Sequence, residues 1–240
     1  MWAPNEGIGY PFADDPGAVV AHWAERGAGS DTSGASRPLD PYAPYYPGDD
    51  YVDWVGLTLY HFGDAPPWDR NVGPDEGKLV SRIRGKDGSD GKGLEGAPDF
   101  HAKYVIGRGK PFVLAETSAL YVPGGPDEAS EVDIKTAWAA QVFAPEIPEE
   151  LPGLDLVMWF EYSKEEAAVP GVVSDWTVTR DPQVRDAFRS LLPPWLEFAP
   201  VRPDDSGSRP TGPVPSSSSR SAPDRSAQTA GNRPSDHGPV

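Results

Sequence analysis

Four short segments of the chain are apolar at most positions: residues 1–3, 53–60, 111–116 and 154–160. Runs of this length that are apolar on both faces predict strands buried in a parallel sheet. Helical spacing fills the intervals. Ser130 with Asp133 has the form of a capping box, and Ile134, Ala137, Trp138 and Val142 follow it along one helical stripe. Asp181 and Pro182 predict an N-cap with proline in the first turn, ahead of Val184, Ala187, Phe188, Leu191 and Leu192; Pro193 and Pro194 end that helix. Residues 99–107 read as a further short helix closing on Gly107 and Gly109. Strands that alternate with helices predict a parallel α/β sheet. Residues 64–98, rich in Gly and Pro, read as a long connection of the kind that shapes a cleft or moves.

Composition narrows the picture. The chain has 240 residues, 38% of them hydrophobic, enough for one ordinary domain. No apolar run approaches the roughly 18 residues of a spanning helix, and the N-terminus has no basic segment followed by an apolar one. Cysteine is absent, which excludes disulfides, thiolate metal sites and a cysteine nucleophile. Residues 201–240 lack aromatic side chains, and half are Pro, Ser or Gly; this segment is expected to be a disordered tail behind a domain at 1–200.

The net charge of −16 belongs to the first 200 residues, because the tail carries five Arg against four Asp. Such a surface repels phosphate backbones and anionic lipids, so neither nucleic acid nor a membrane is an expected partner. A neutral polymer such as a polysaccharide meets no such repulsion. Eight Trp and nine Tyr offer flat faces on which sugar rings stack, although most of them are expected in the core.

The run Lys110-Pro-Phe-Val-Leu-Ala-Glu-Thr-Ser-Ala119 ends a buried strand on one carboxylate, Glu116. In a (β/α)8 barrel the carboxyl ends of the strands form the catalytic face, so Glu116 is a candidate nucleophile; a solvated residue at an element's end is the alternative. The run from Tyr45 through Pro47-Gly-Asp-Asp-Tyr-Val-Asp-Trp-Val-Gly56 to Tyr60 ends on a tyrosine that could hydrogen-bond such a carboxylate and favour its ionised form. The strand at 154–160 ends on Trp159 and Phe160, a candidate floor for a sugar ring, with core packing as the alternative for Trp159.

Taken in this order, these segments resemble the C-terminal half of a glycoside hydrolase of family 26, whose members include β-mannanases. The likeness runs over about residues 1–195 and is strongest from Tyr45 to Tyr60. It implies a (β/α)8 barrel of TIM type in which residues 1–5, 53–60, 110–116 and 154–160 are strands five to eight. It also implies retaining hydrolysis of internal β-1,4 links in a mannan or related glycan, with Glu116 as nucleophile, Tyr60 as its partner and no cofactor. The family's acid/base glutamate ends its fourth strand, which would precede Met1, so hydrolysis by this chain alone is in doubt. A carbohydrate-binding half barrel without turnover, or a truncated gene product, is the alternative. Exposed strand edges would then favour self-association.

Glu6, in an Asn5-Glu6 pair, is a second candidate for the acid/base role, with an exposed loop residue as its alternative. Trp2 and His61 are further candidates for sugar contact. Lys164, Glu165 and Glu166 read as a solvated run, with one of them reaching the cleft as the alternative. The aspartates at 31, 87 and 90 lack the spacing and terminal Glu of a calcium loop, and the four histidines do not form a spaced cluster, so no metal is expected. The family is usually secreted, but nothing in the sequence fixes a compartment.

Overall fold

The structure, a computed structural model, describes residues 1–6, 40–64, 68–85, 98–126, 128–166 and 169–198. The expected tail at 201–240 lies outside them, as do the aspartates at 31, 87 and 90. The described elements belong to one compact unit, Met1–Glu197.

It is a mixed α/β structure built on a parallel sheet. Strands β1 (Val55–Thr58), β2 (Phe112–Thr117) and β3 (Leu154–Trp159) lie side by side in sequence order, all parallel. The chain's first residues join the other side of β1 through parallel bridges from Trp2 to Val55 and from Asn5 to Thr58. Gly56 N–H donates to Trp2 O at 2.7 Å, and Thr58 N–H to Pro4 O at 3.0 Å. All four expected strand segments are therefore neighbours in the expected order, but no closed barrel is formed among the described residues.

Gly56 permits the close approach on one face. A Cβ there would stand 2.7 Å from Ala3 Cβ and 2.9 Å from Val113 Cγ1. On the other face Val55, Leu57, Leu59, Phe112 and Leu114 are buried in the main core, beneath the helices. Each such side chain contributes about 1.5–3 kcal/mol by leaving water.

The helices cover that face. Helix α1 is Lys78–Ile83, α2 is Glu131–Val142, α3 is Ile147–Glu150 and α4 is Pro182–Ser190. Both predicted caps are present. Ser130 Oγ accepts from Asp133 N–H, and Asp181 Oδ1 accepts from Gln183 N–H at 2.7 Å and Val184 N–H at 3.1 Å. The helix expected at 99–107 is a π-helical turn, His101–Val105, running into a 3-10 turn, Ile106–Arg108, and closed by Gly109 at φ 61°.

Two expectations need correction. The stretch at 64–98 is not all loop, because α1 lies within it. The sequence around α1 offers no cap, since its N-cap is Gly77 with a left-handed backbone. The cap comes from elsewhere: Gln141 on α2 accepts from Leu79 N–H at 3.0 Å and donates to Asp75 O at 2.8 Å. The charged run after β3 is also a strand, exposed at Lys164 and Glu165 as expected but not at Glu166. β4 (Ser163–Glu166) pairs antiparallel with β5 (Val169–Asp175), and Glu166 is buried. A further bridge from Asp175 to Tyr121 ties this hairpin to the segment leaving β2.

Candidate active site

Side chains on β1 alternate: Val55, Leu57 and Leu59 enter the helix-covered core, so Gly56, Thr58 and Tyr60 face the other way. On β2 the same alternation would send Glu116 into the core with Phe112 and Leu114. An irregularity prevents this. Leu57 pairs with Leu114 but Thr58 pairs with Glu116, so two residues of β2 advance while one of β1 does, and Glu116 takes Thr58's face. Thr117 returns to the helix side, where its Oγ1 accepts from Trp138 Nε1 at 2.9 Å. A bulge of this kind interrupts the ladder locally and re-aims the side chains that follow it, here Glu116 and Thr117.

Glu116 is exposed at the carboxyl end of the sheet, and Tyr60 Oη donates to its Oε2 at 2.7 Å. Half-burial pushes the Tyr60 hydroxyl well above the ordinary tyrosine range; the bond to Glu116 and the charges of Glu116 and Glu166 add to this. The phenol therefore stays protonated and remains a donor. A carboxylate oriented by a fixed donor can serve as nucleophile or as an acceptor for sugar hydroxyls.

Aromatic rings surround Tyr60. Tyr60 lies 5.0 Å from Trp176 and 5.8 Å from Phe160, centroid to centroid. The row extends through Phe62, 5.0 Å from Trp176, to Trp68 at 6.1 Å. Trp176 is buried and donates its Nε1 proton to Glu166 Oε1 at 2.8 Å, and Lys164 Nζ is 3.3 Å from the same oxygen. The result is an apolar wall with a few convergent polar groups, the composition of a small-molecule or sugar site.

The other sequence candidates lie elsewhere. Trp159 packs against Phe188 at 4.8 Å and Phe143 at 6.1 Å, on the helix side of β3; its neighbour Phe160 occupies the side of Tyr60 instead. Trp2 pairs with Val55 at the start of β1, far along the strand from Glu116, and packs into a cluster with Tyr46, Phe100 and Tyr104.

His61 is 1% exposed and stacks on Trp138. Its Nε2 is 2.7 Å from Val72 O, an acceptor, which assigns the proton to Nε2 and leaves Nδ1 to accept from Lys78 Nζ at 3.2 Å. It belongs to the core rather than to a sugar contact. Glu6 is not the exposed loop residue of the alternative reading. It is 6% exposed and paired with the Arg82 guanidinium, whose Nη2 donates to Oε2 at 3.0 Å.

Trp176 and Phe62 escaped the sequence reading, and Glu166 was read chiefly as part of a solvated run. Phe62 was legible in part, since two-residue alternation from Tyr60 leads to it. Trp176 and Glu166 arrive on a hairpin whose first strand, Ser-Lys-Glu-Glu, carries no strand signal.

Among the described residues no group of His, Asp or Glu is placed to hold a metal ion, and no helix is long and apolar enough to cross a membrane. Compared with known proteins, the chain matches no family model and no curated protein.

Proposed function

We propose that the chain carries the nucleophile side of a retaining glycoside hydrolase, with Glu116 as nucleophile and Tyr60 as the donor that orients it. The observation that carries this reading is the 2.7 Å Tyr60–Glu116 bond at the carboxyl ends of adjacent parallel strands. Sequence order, parallel pairing and helix-covered outer face all support placing these strands as five to eight of a (β/α)8 barrel of the family 26 type. The substrate is then an internal β-1,4 link of a mannan or related plant or fungal glycan.

In the first step a Glu116 oxygen attacks the anomeric carbon as the glycosidic C–O bond breaks, leaving a glycosyl ester. The departing oxygen takes a proton from an acid/base carboxyl, and water later cleaves the ester. Glu116 needs no help from the acid when the leaving group is already stable as an anion. A 2-deoxy-2-fluoro glycoside bearing dinitrophenolate therefore tests Glu116 on its own. The expected result is one sugar added to the protein, mapped to Glu116 by peptide mass and absent in Glu116→Gln. An unlabelled protein, or a label elsewhere, removes the nucleophile assignment.

The second reading is carbohydrate binding without turnover. It is favoured by the engagement of Glu6 with Arg82, which commits the one acid/base candidate that the sequence offered. Binding that is unchanged in Glu116→Gln, with no release of reducing ends, selects it. Self-association is part of the same proposal, because Leu156 and Met158 are exposed on β3, which pairs only with β2 among the described residues. Sedimentation showing only monomer at all concentrations removes that part.

A further inference from the structure

We propose that Tyr162, with Phe160 and Lys164, forms a second sugar subsite, one that holds an extended β-1,4-linked hexopyranose chain beyond the sugar at Glu116. The inference rests on the glycosidase reading and adds to it a platform whose exposed ring, Tyr162, the sequence did not single out.

Tyr162 is 59% exposed, yet its backbone is fixed, because its carbonyl accepts from Trp176 N–H at 3.1 Å. A lone exposed tyrosine would mean little. This one continues a row: its ring is 6.4 Å from Phe160, which is 5.8 Å from Tyr60, which holds Glu116. The platform is two ring contacts from Tyr60, at 6.4 Å and 5.8 Å, which under this proposal places it beyond the sugar at Glu116. Tyr162 is tilted 60° to Phe160, so a pyranose covers the exposed Tyr162 ring with its apolar C–H face, while its equatorial hydroxyls project sideways to polar neighbours.

Lys164 is that neighbour. Its Nζ lies 5.2 Å from the Phe160 centroid and is anchored 3.3 Å from Glu166 Oε1. Glu166 is in turn held by Trp176 Nε1. A lysine paired in this way offers hydrogen-bond donors but little net positive charge. With Glu116 exposed nearby, the local charge is negative, which selects a neutral glycan over a phosphate or a uronate.

The test is calorimetric titration of β-1,4-mannohexaose and cellohexaose into the full chain carrying Glu116→Gln, with and without Tyr162→Ala or Tyr162→Phe. In parallel, the single-sugar fluoroglycoside is trapped on chains that retain Glu116. Affinity for the preferred hexasaccharide should fall about tenfold in Tyr162→Ala and stay within about twofold in Tyr162→Phe, the loss of one stacked ring. Single-sugar trapping should be the same with and without the Tyr162→Ala change, which also shows that the variant is folded. Equal hexasaccharide affinity in the Tyr162→Ala chain overturns the subsite alone. So does trapping without any hexasaccharide binding. Neither trapping nor binding overturns the subsite and the Glu116 reading together.

Discussion

Thr117 and Glu116 are consecutive, yet Thr117 accepts a hydrogen bond from Trp138 in the helix-covered core while Glu116 meets Tyr60 on the opposite face. The bulge in β2 is what allows both. Thr117 anchors the strand just past the irregularity, so the position of the candidate nucleophile depends on a bond made behind it.

Replacing Thr117 with Val should leave the buried Trp138 N–H without that partner and destabilise the chain by about 1–3 kcal/mol. Thr117→Ser, which keeps the acceptor, should cost clearly less. Urea unfolding followed by tryptophan fluorescence measures both, and equal losses would show that the methyl group, not the bond, matters.

Tyr60→Phe removes the donor to Glu116 and keeps the ring that packs on Trp176 and Phe160. The carboxylate loses the group that orients it, so fluoroglycoside trapping should slow about 10- to 100-fold, while stability falls by no more than the roughly 1.5–3 kcal/mol of a hydrogen bond to a charged group. An unchanged rate would assign Tyr60 to packing alone.

Tyr60 and Tyr104 are both held protonated above the ordinary tyrosine range, each by burial first and then by a carboxylate, Glu116 and Asp40 respectively. The unfolded chain loses these protons near pH 10, whereas the folded chain keeps them. Above that pH the folded state therefore binds more protons, and its stability declines as pH rises through the folded values. Solvent screening limits the effect at Tyr60, which is only partly buried, more than at Tyr104, which is fully buried. Urea midpoints between about pH 8 and about pH 11 should fall, and Tyr60→Phe with Tyr104→Phe should flatten that fall.

Glu6 and Arg82 are nearly buried at both ends. Arg82→Met leaves a buried carboxylate without its guanidinium and should cost about 3–5 kcal/mol, whereas Glu6→Leu together with Arg82→Met should recover much of the loss. Additive losses in the double variant, measured by denaturant unfolding, would mean that the two side chains act independently.

The strands of the parallel sheet were legible because each is a short apolar run, and α2 and α4 because Ser130 and Asp181 cap them locally. Helix α1 was not, since Gln141 supplies its cap from a distance of 62 residues. The hairpin of β4 and β5 was hidden by its charged first strand and by Pro170 and Gly171 in its second. Glu116 and Tyr60 could be paired from sequence because both end strands. Trp159 and Phe160 could not be told apart, since adjacent residues on a strand face opposite sides and β3 has its own register shifts. His61 shows the same limit: its place after Tyr60 suggested the cleft, and alternation turned it into the core.

Gly56 has a consequence for which substitutions the chain can accept. Its backbone is not in a left-handed region, so its requirement is spatial: any β-carbon would collide with Ala3 and Val113 together. In a library randomised at single codons and sorted only for retained folding, position 56 should return glycine almost alone. Tyr162, at the rim, should return nearly the whole alphabet, and would narrow to aromatic residues only when the sort is made for glycan capture.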